Sequence, residues 1–228
     1  MKKIAIIVAG GSGNRFGSTI PKQFAMLSGK PMLMHTIAAF SGYDSQMQII
    51  VALPSEYISL WEDLCHEHGF AKKHTVVEGG KSRFESVKKS LAAVADSAGL
   101  IAVHDGARPL VSQKMIADGF STAENCGTAI PTIAMTDSLR QLDRQGSHIV
   151  DRESFVAVQT PQIFNLQLLR KAYDADFSPA FTDDASVVEF HGTSVTLYEG
   201  DIENLKVTHP IDLKIAELIL SQRNAGNQ

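Results

Sequence analysis

The stretch IAIIVAGGSGNRFGSTIPKQF, Ile4–Phe24, decides how this chain is read. Its first six residues are apolar and rich in β-branched side chains, the composition of a strand buried on both faces. The strand runs directly into a loop holding Gly10, Gly11, Gly13 and Gly17. Glycines let backbone N–H groups approach a phosphate chain closely, and Arg15 and Lys22 add full positive charge beside them. Two familiar phosphate-binding readings fail. The dinucleotide fingerprint needs a third small residue where Phe16 stands, and no acid closes the second strand near Val51. The P-loop reading of Gly79-Gly80-Lys81-Ser82 needs a leading glycine where Thr75 stands, and Gly29-Lys30 is followed by Pro31.

Outward from this stretch, strands and helices alternate. IIVALP (Ile49–Pro54), HTVVEGG (His74–Gly80), LIAVHD (Leu100–Asp105), GTAIPTI (Gly127–Ile133), VAVQTP (Val156–Pro161), SVTLYEG (Ser194–Gly200) and NLKV (Asn204–Val207) read as strands. Helices are expected from Pro31, from Ser55 as a cap, from the capping box Ser82–Glu85, over Ser112–Glu124, from Asn165, from Thr182 as a cap, and over His209–Leu220. Ile58, Trp61, Leu64 and Cys65 form one buried stripe, and Val87, Leu91 and Val94 another. The alternation predicts an α/β fold, a mostly parallel twisted sheet with helices on both faces. Residues 134–155 break the pattern. They are polar, with a turn at Gln145-Gly146, and read as a β-hairpin arm projecting from a single domain spanning residues 1–228.

Composition bounds the function. The chain has 228 residues, 44% of them hydrophobic, enough for a sizeable core. A net charge of −4 argues against nucleic acid as a partner. No apolar run approaches a membrane span, and the N-terminal run is too short for a signal peptide. The two cysteines, Cys65 and Cys126, form no CxxC and suit a reduced, cytoplasmic setting. Asp105 ends a buried strand, where an acid is costly unless paired or used. A helix cap or a partner for Arg108 is the alternative to a functional role. His104 reads as a packing or hydrogen-bonding residue, and His66-Glu67-His68 as surface.

AGGSGNRFGSTIPKQF resembles the opening signature of the sugar-phosphate and polyol-phosphate nucleotidyltransferases. GGKSRFESV, VHDGARPL, VDR (Val150–Arg152), QTPQIF, TDDASVVE and NLKVTHPIDL follow in order. Together they resemble the 2-C-methyl-D-erythritol 4-phosphate cytidylyltransferase family of the non-mevalonate isoprenoid pathway. The resemblance implies a Rossmann-like nucleotidyltransferase fold, CTP as co-substrate, a divalent metal (magnesium) at Asp105, and a homodimer whose arms exchange and complete the partner's site. It implies that Arg15 and Lys22 stabilise the transition state. Ala9, Gly10, Gly11, Ser12, Gly13, Lys22, Gly80, Ser86, Asp105 and Gly106 would hold the nucleotide. Asp105, Arg108, Ser138, Arg152, Thr182 and Lys206 would hold the polyol phosphate, with Arg152 and Lys206 also catalytic. Three departures stand out: Lys81 where the family often has Asp, Gly106 where it often has Ala, and Ser138 where it often has Thr.

Two other functions remain open from the residues. Ribitol-5-phosphate cytidylyltransferases share the loop, the Asp-x-x-Arg-Pro segment and the arm. A non-catalytic nucleotide-sensing module could use the same scaffold, but it would be free to lose Arg15 or Lys22, and both are present.

Overall fold

A computed structural model describes residues 1–11 and 21–225. The chain opens with β1 (Lys3–Val8). A short hairpin of β2 (Met26–Leu27) and β3 (Lys30–Pro31) then leads into α1 (Met32–Tyr43). The alternation continues through β4 (Gln48–Leu53), α2 (Ile58–Glu67), β5 (Thr75–Glu78), α3 (Arg83–Ala92), β6 (Leu100–Asp105), α4 (Gln113–Cys126) and β7 (Thr128–Ala134). An antiparallel pair follows, β8 (Arg140–Asp143) with β9 (Gly146–Ile149). The chain closes with β10 (Val156–Val158), β11 (Gln162–Asn165), α5 (Leu166–Ala172), α6 (Asp184–Phe190), β12 (Leu197–Glu199) and α7 (Pro210–Ala225).

The central strands β5, β4, β1 and β6 are parallel. β11 runs antiparallel between β6 and β7; β10 pairs antiparallel and β12 parallel with β7. β1 shows why its run is continuously apolar. Ala5 and Ile7 pack on one face with α1, α2 and α4, while Ile4 and Ile6 pack on the other with α3, α5 and α6. All four are fully buried, each burial contributing roughly 1.5–3 kcal/mol for the larger side chains. A third cluster seats Ala216 of α7 against Leu27, Met32, Ala107, Leu110 and Val207. In the parallel register, Val8 stands beside both Ala52 and Asp105, so the loops leaving β1 and β6 rise together.

Several caps differ from expectation. Ser55 lies in a 3-10 turn, Ser55–Tyr57, and α2 starts after it without a side-chain cap. Ser82 caps α3, its Oγ accepting the Glu85 N–H at 3.1 Å; the Glu85 carboxylate accepts from Lys81 N–H at 2.8 Å instead of closing the box. The cap of α6 is Asp183, not Thr182: Asp183 accepts the Ser186 N–H at 2.9 Å and Ser186 Oγ accepts the Asp183 N–H at 3.2 Å. Residues 204–207 are not a strand, because the Val207 N–H goes to the Ala107 carbonyl in the loop after β6, at 2.8 Å, and no ladder forms.

Candidate functional site

The loops at the carboxyl ends of the parallel strands enclose two adjoining cavities, the position ligands take on such sheets. One, of about 280 Å3, is lined by Gly10, Gly11, Lys22, Gly80 and Ser86 among others. The second, also about 280 Å3, is lined by Arg108, Gln159, Thr160, Thr182 and Asp183 among others. Arg83, Asp105 and Lys206 line both and form the wall between them.

The first cavity is shaped by close backbone approach. A Cβ on Gly80 would fall inside the Glu85 side chain, so the turn after β5 can pass α3 only without one. Ser86 Oγ accepts the Gly80 N–H at 3.0 Å and donates to the Ser82 carbonyl at 2.9 Å, tying that turn to the helix. A Cβ on Gly106 would lie 3.0 Å from Ala9 Cβ, and the Gly106 N–H donates to the Val8 carbonyl at 2.9 Å. Lys22 Nζ reaches across to the Val207 carbonyl at 3.1 Å, bringing its charge against residues 204–207.

The wall is a charge cluster. Asp105 Oδ2 lies 2.7 Å from Lys206 Nζ and 3.9 Å from Arg108 Nε, and its Oδ1 lies 3.4 Å from Arg83 Nε. Burial alone would raise the Asp105 carboxyl; Arg83, Lys206 and Arg108 outweigh it and hold the group well below the usual carboxylate range. Burial also disfavours the Arg83 charge, but Asp184 and Asp105 overcome it and raise its pKa. Arg108 is lowered by burial, partly offset by Asp105. It donates to the Asn204 carbonyl at 2.7 Å, while its buried Nε has no hydrogen-bond partner among the described residues.

His104 behind the wall is fully buried, and burial pushes its pKa down to about 4. It lies 3.0 Å from the Arg108 carbonyl through Nε2 and 3.1 Å from Thr160 Oγ1 through Nδ1. A carbonyl only accepts, so Nε2 carries the proton and Nδ1 accepts from the Thr160 hydroxyl. Thr160 Oγ1 in turn accepts the Asp105 N–H at 3.0 Å, which fixes the backbone under the carboxylate.

Thus Ala9, Gly10, Gly11, Lys22, Gly80, Ser86, Asp105, Gly106, Arg108, Thr182 and Lys206 converge on the two cavities or the loops that bound them. Ser138 and Arg152 do not line either cavity: both are exposed on the arm, where Arg152 Nη1 donates to the Thr136 carbonyl at 2.7 Å. Ser12, Gly13 and Arg15 lie outside the described residues. Sequence reasoning passed over Arg83, Asp184 and Thr160. Arg83 sits inside GGKSRFESV, where the capping residues on either side explained the motif without it.

Among the described residues no group of three or more His, Cys, Asp or Glu could hold a metal ion. Asp105 is the acidic side chain common to both cavities, and its two carboxylate oxygens face Arg83, Lys206 and Arg108. Among the described residues no helix is long and apolar enough to cross a membrane.

Comparison with known proteins bears on this geometry. A family model described as 2-C-methyl-D-erythritol 4-phosphate cytidylyltransferase matches residues 3–222. A protein of that name from Bacteroides fragilis is 49% identical over 220 residues, covering 96% of this chain and 100% of the relative. One from Clostridium perfringens is 36% identical over 220 residues, covering 95% of this chain and 97% of the relative. The crystal structure of a 2-C-methyl-D-erythritol 4-phosphate cytidylyltransferase from Thermus thermophilus is similar, with a TM-score of 0.74 at 31% identity, over 96% of this chain and 98% of that one.

Proposed function

From the premise that this chain belongs to the 2-C-methyl-D-erythritol 4-phosphate cytidylyltransferase family, we propose how its two cavities divide the reaction. The protein is a CTP-dependent nucleotidyltransferase of non-mevalonate isoprenoid biosynthesis. It forms 4-diphosphocytidyl-2-C-methyl-D-erythritol and pyrophosphate from CTP and 2-C-methyl-D-erythritol 4-phosphate. The cavity at Gly10, Gly11, Lys22, Gly80 and Ser86 takes CTP, and the cavity at Arg108 and Thr182 takes the polyol phosphate. The observation that carries this division is the wall they share: Arg83, Asp105 and Lys206 stand where two phosphorylated reactants must meet.

A phosphate oxygen of the polyol phosphate attacks the α-phosphorus of CTP. A P–O bond forms there as the bond to the β-phosphate bridge breaks, and pyrophosphate leaves with that electron pair. The nucleophile is a phosphate monoester whose second pKa is about 6, so it is largely ionised near neutrality and needs no general base. The barrier lies in bringing two anions together and in charge building on the phosphoryl oxygens. Lys22 and Arg15 stabilise that charge. Lys206 and Arg108, both in the lining of the second cavity, would hold the acceptor phosphate. Magnesium, when bound by Asp105 with the triphosphate, would supply further charge neutralisation.

The arm belongs to the same proposal. Leu142 is 79% and Ile149 73% exposed, on a two-stranded hairpin with no core of its own. Such a hairpin is marginal alone in water and needs a surface to cover it. Exchange of arms in a homodimer would cover it and carry Ser138 and Arg152 into the partner's acceptor cavity. The two unpaired cysteines fit a cytoplasmic protein. The test is pyrophosphate release with CTP and magnesium, comparing 2-C-methyl-D-erythritol 4-phosphate with ribitol 5-phosphate. Release with the first alone is expected; preference for ribitol phosphate, or release with neither, would overturn the acceptor assignment.

A further inference from the structure

Asp184 is fully buried, on the first turn of α6, with Arg83 and Tyr173 on its two carboxylate oxygens. Arg83 Nη2 donates to Oδ2 at 2.6 Å, and the Tyr173 hydroxyl donates to Oδ1 at 2.7 Å. Tyr173 is itself locked, its ring stacked on Phe84 at 4.7 Å between centroids. Arg83 therefore has one end in the core and the other, Nε, at 3.4 Å from Asp105 in the wall between the cavities. From this geometry we infer that Asp184 and Arg83 are positioning residues of the reaction, an anchored pair that holds the Asp105 carboxylate in place while substrates enter.

The reason follows from charge. Lys206 is the half-exposed partner of Asp105, and an arriving phosphate competes for it. An arginine facing two cavities that receive phosphates would be drawn to them as well, because guanidinium pairs with phosphate bidentately. Asp184 prevents that. It lies behind the wall, out of reach of either substrate, and its charge balances the guanidinium before any phosphate arrives. Arg83 thus keeps its contact with Asp105 when Lys206 is recruited, and the wall keeps its shape. An unanchored Arg83 would bind ground-state phosphates and lose the arrangement needed at the transition state.

This inference rests on the reaction assigned above, and its test separates the two. Asp184→Asn should lower kcat by roughly ten- to a hundredfold, the scale of a hydrogen bond to a charged group, with KM for CTP and the polyol phosphate unchanged or lowered. Arg83→Lys keeps a cation beside the buried carboxylate but cannot bridge two carboxylates as a fork, and should show the same split. Combining the two should cost little more than either alone. Unchanged kcat in folded variants, a rise in KM alone, or multiplicative losses would overturn the inference. If Asp184→Asn does not fold, Arg83→Lys decides alone. An inactive wild type would instead overturn the reaction. In that event the 15N spectrum of the Arg83 side chain decides the anchoring. A slowly exchanging Nε–H, unmoved by CTP or polyol phosphate, is expected; a shift onto added phosphate overturns it.

Discussion

Lys206 Nζ stands 2.7 Å from Asp105 Oδ2, and these two residues belong to both cavities. The lysine is 47% exposed and the carboxylate 13%, so the pair is open on the lysine side only. That asymmetry makes Lys206 the partner that can turn towards an incoming phosphate. Lys206→Ala should therefore act on the acceptor. Steady-state kinetics should show kcat/KM for the polyol phosphate falling at least ten- to a hundredfold, the worth of a charge-assisted hydrogen bond, with KM for CTP little changed. Equal losses for both substrates would place Lys206 on the nucleotide instead.

The proposed division assigns Lys22 and Arg15 to the other reactant. Lys22 is held against Val207 in the lining of the first cavity, and Arg15 lies in the glycine loop outside the described residues. Removing one preorganised donor from a developing phosphoryl charge costs on the order of a hundred- to a thousandfold in kcat. Lys22→Ala and Arg15→Ala are each expected to lose turnover on that scale. Calorimetric titration should show CTP still binding. Normal turnover in either variant would remove it from the transition state.

Gly80 tests the cradle itself. An added Cβ collides with Glu85, whose carboxylate also holds the Lys81 N–H. Gly80→Ala must push the turn away from α3 and break its bond to Ser86. KM for CTP should rise about tenfold or more, with a smaller change for the acceptor, since a small displacement at a positioning element is felt strongly. An unchanged KM for CTP would mean that this turn does not touch the nucleotide.

His104 makes a prediction about acid. Burial depresses its pKa to about 4 from an ordinary 6.5. Above pH 6.5 the imidazole is neutral in both folded and unfolded chains and adds no slope. Below that the unfolded chain takes up the proton and the folded one does not, so stability falls as pH drops from 6.5 towards 4. The loss attributable to His104 reaches about 3 kcal/mol at the lower end. His104→Gln, which can still pair with Thr160 and the Arg108 carbonyl, should flatten this part of the curve. Urea unfolding at pH 7 and pH 4.5 measures the difference; equal slopes in the two proteins would show that the histidine does not govern it.

Much of this was legible in the chain because period and composition agreed. Ile4–Val8 could only be a strand covered on both faces, and Gly127, in the left-handed conformation at φ 81°, ended α4 where the sequence turned to strand. β11 was missed because its apolar content is Ile163 and Phe164 alone, placed after Pro161, and its pairing with β6 and β7 is made by tertiary context. Residue type at a strand's carboxyl end pointed to the glycine loop with Arg15 and Lys22, and to Asp105; Gly80, Ser86, Gly106 and Arg108 came from the resemblance of GGKSRFESV and VHDGARPL to the family. Neither route reached Asp184. Its role depends on Arg83, 101 positions earlier in the chain, and no local pattern connects them.

Arg152 carries the remaining prediction, about the arm. In one chain it is exposed in the 3-10 turn Arg152–Ser154 after β9, bonded to the Thr136 carbonyl and lining neither cavity. If exchanged arms complete the site, Arg152→Ala should raise KM for the polyol phosphate while leaving CTP binding intact. A mixture with a second variant defective only in its nucleotide cavity, such as Lys22→Ala, should then regain activity. One kind of site in the mixed dimer would combine an intact cavity with an intact arm. Random mixing of equal amounts puts about half of the dimers in the mixed form, each with one competent site, so roughly a quarter of the wild-type rate is expected. A mixture no more active than its components, under conditions where subunits exchange, would mean that each arm serves its own chain. Arg152 would then have to reach the acceptor from where it now stands, which its exposed position outside both cavities argues against.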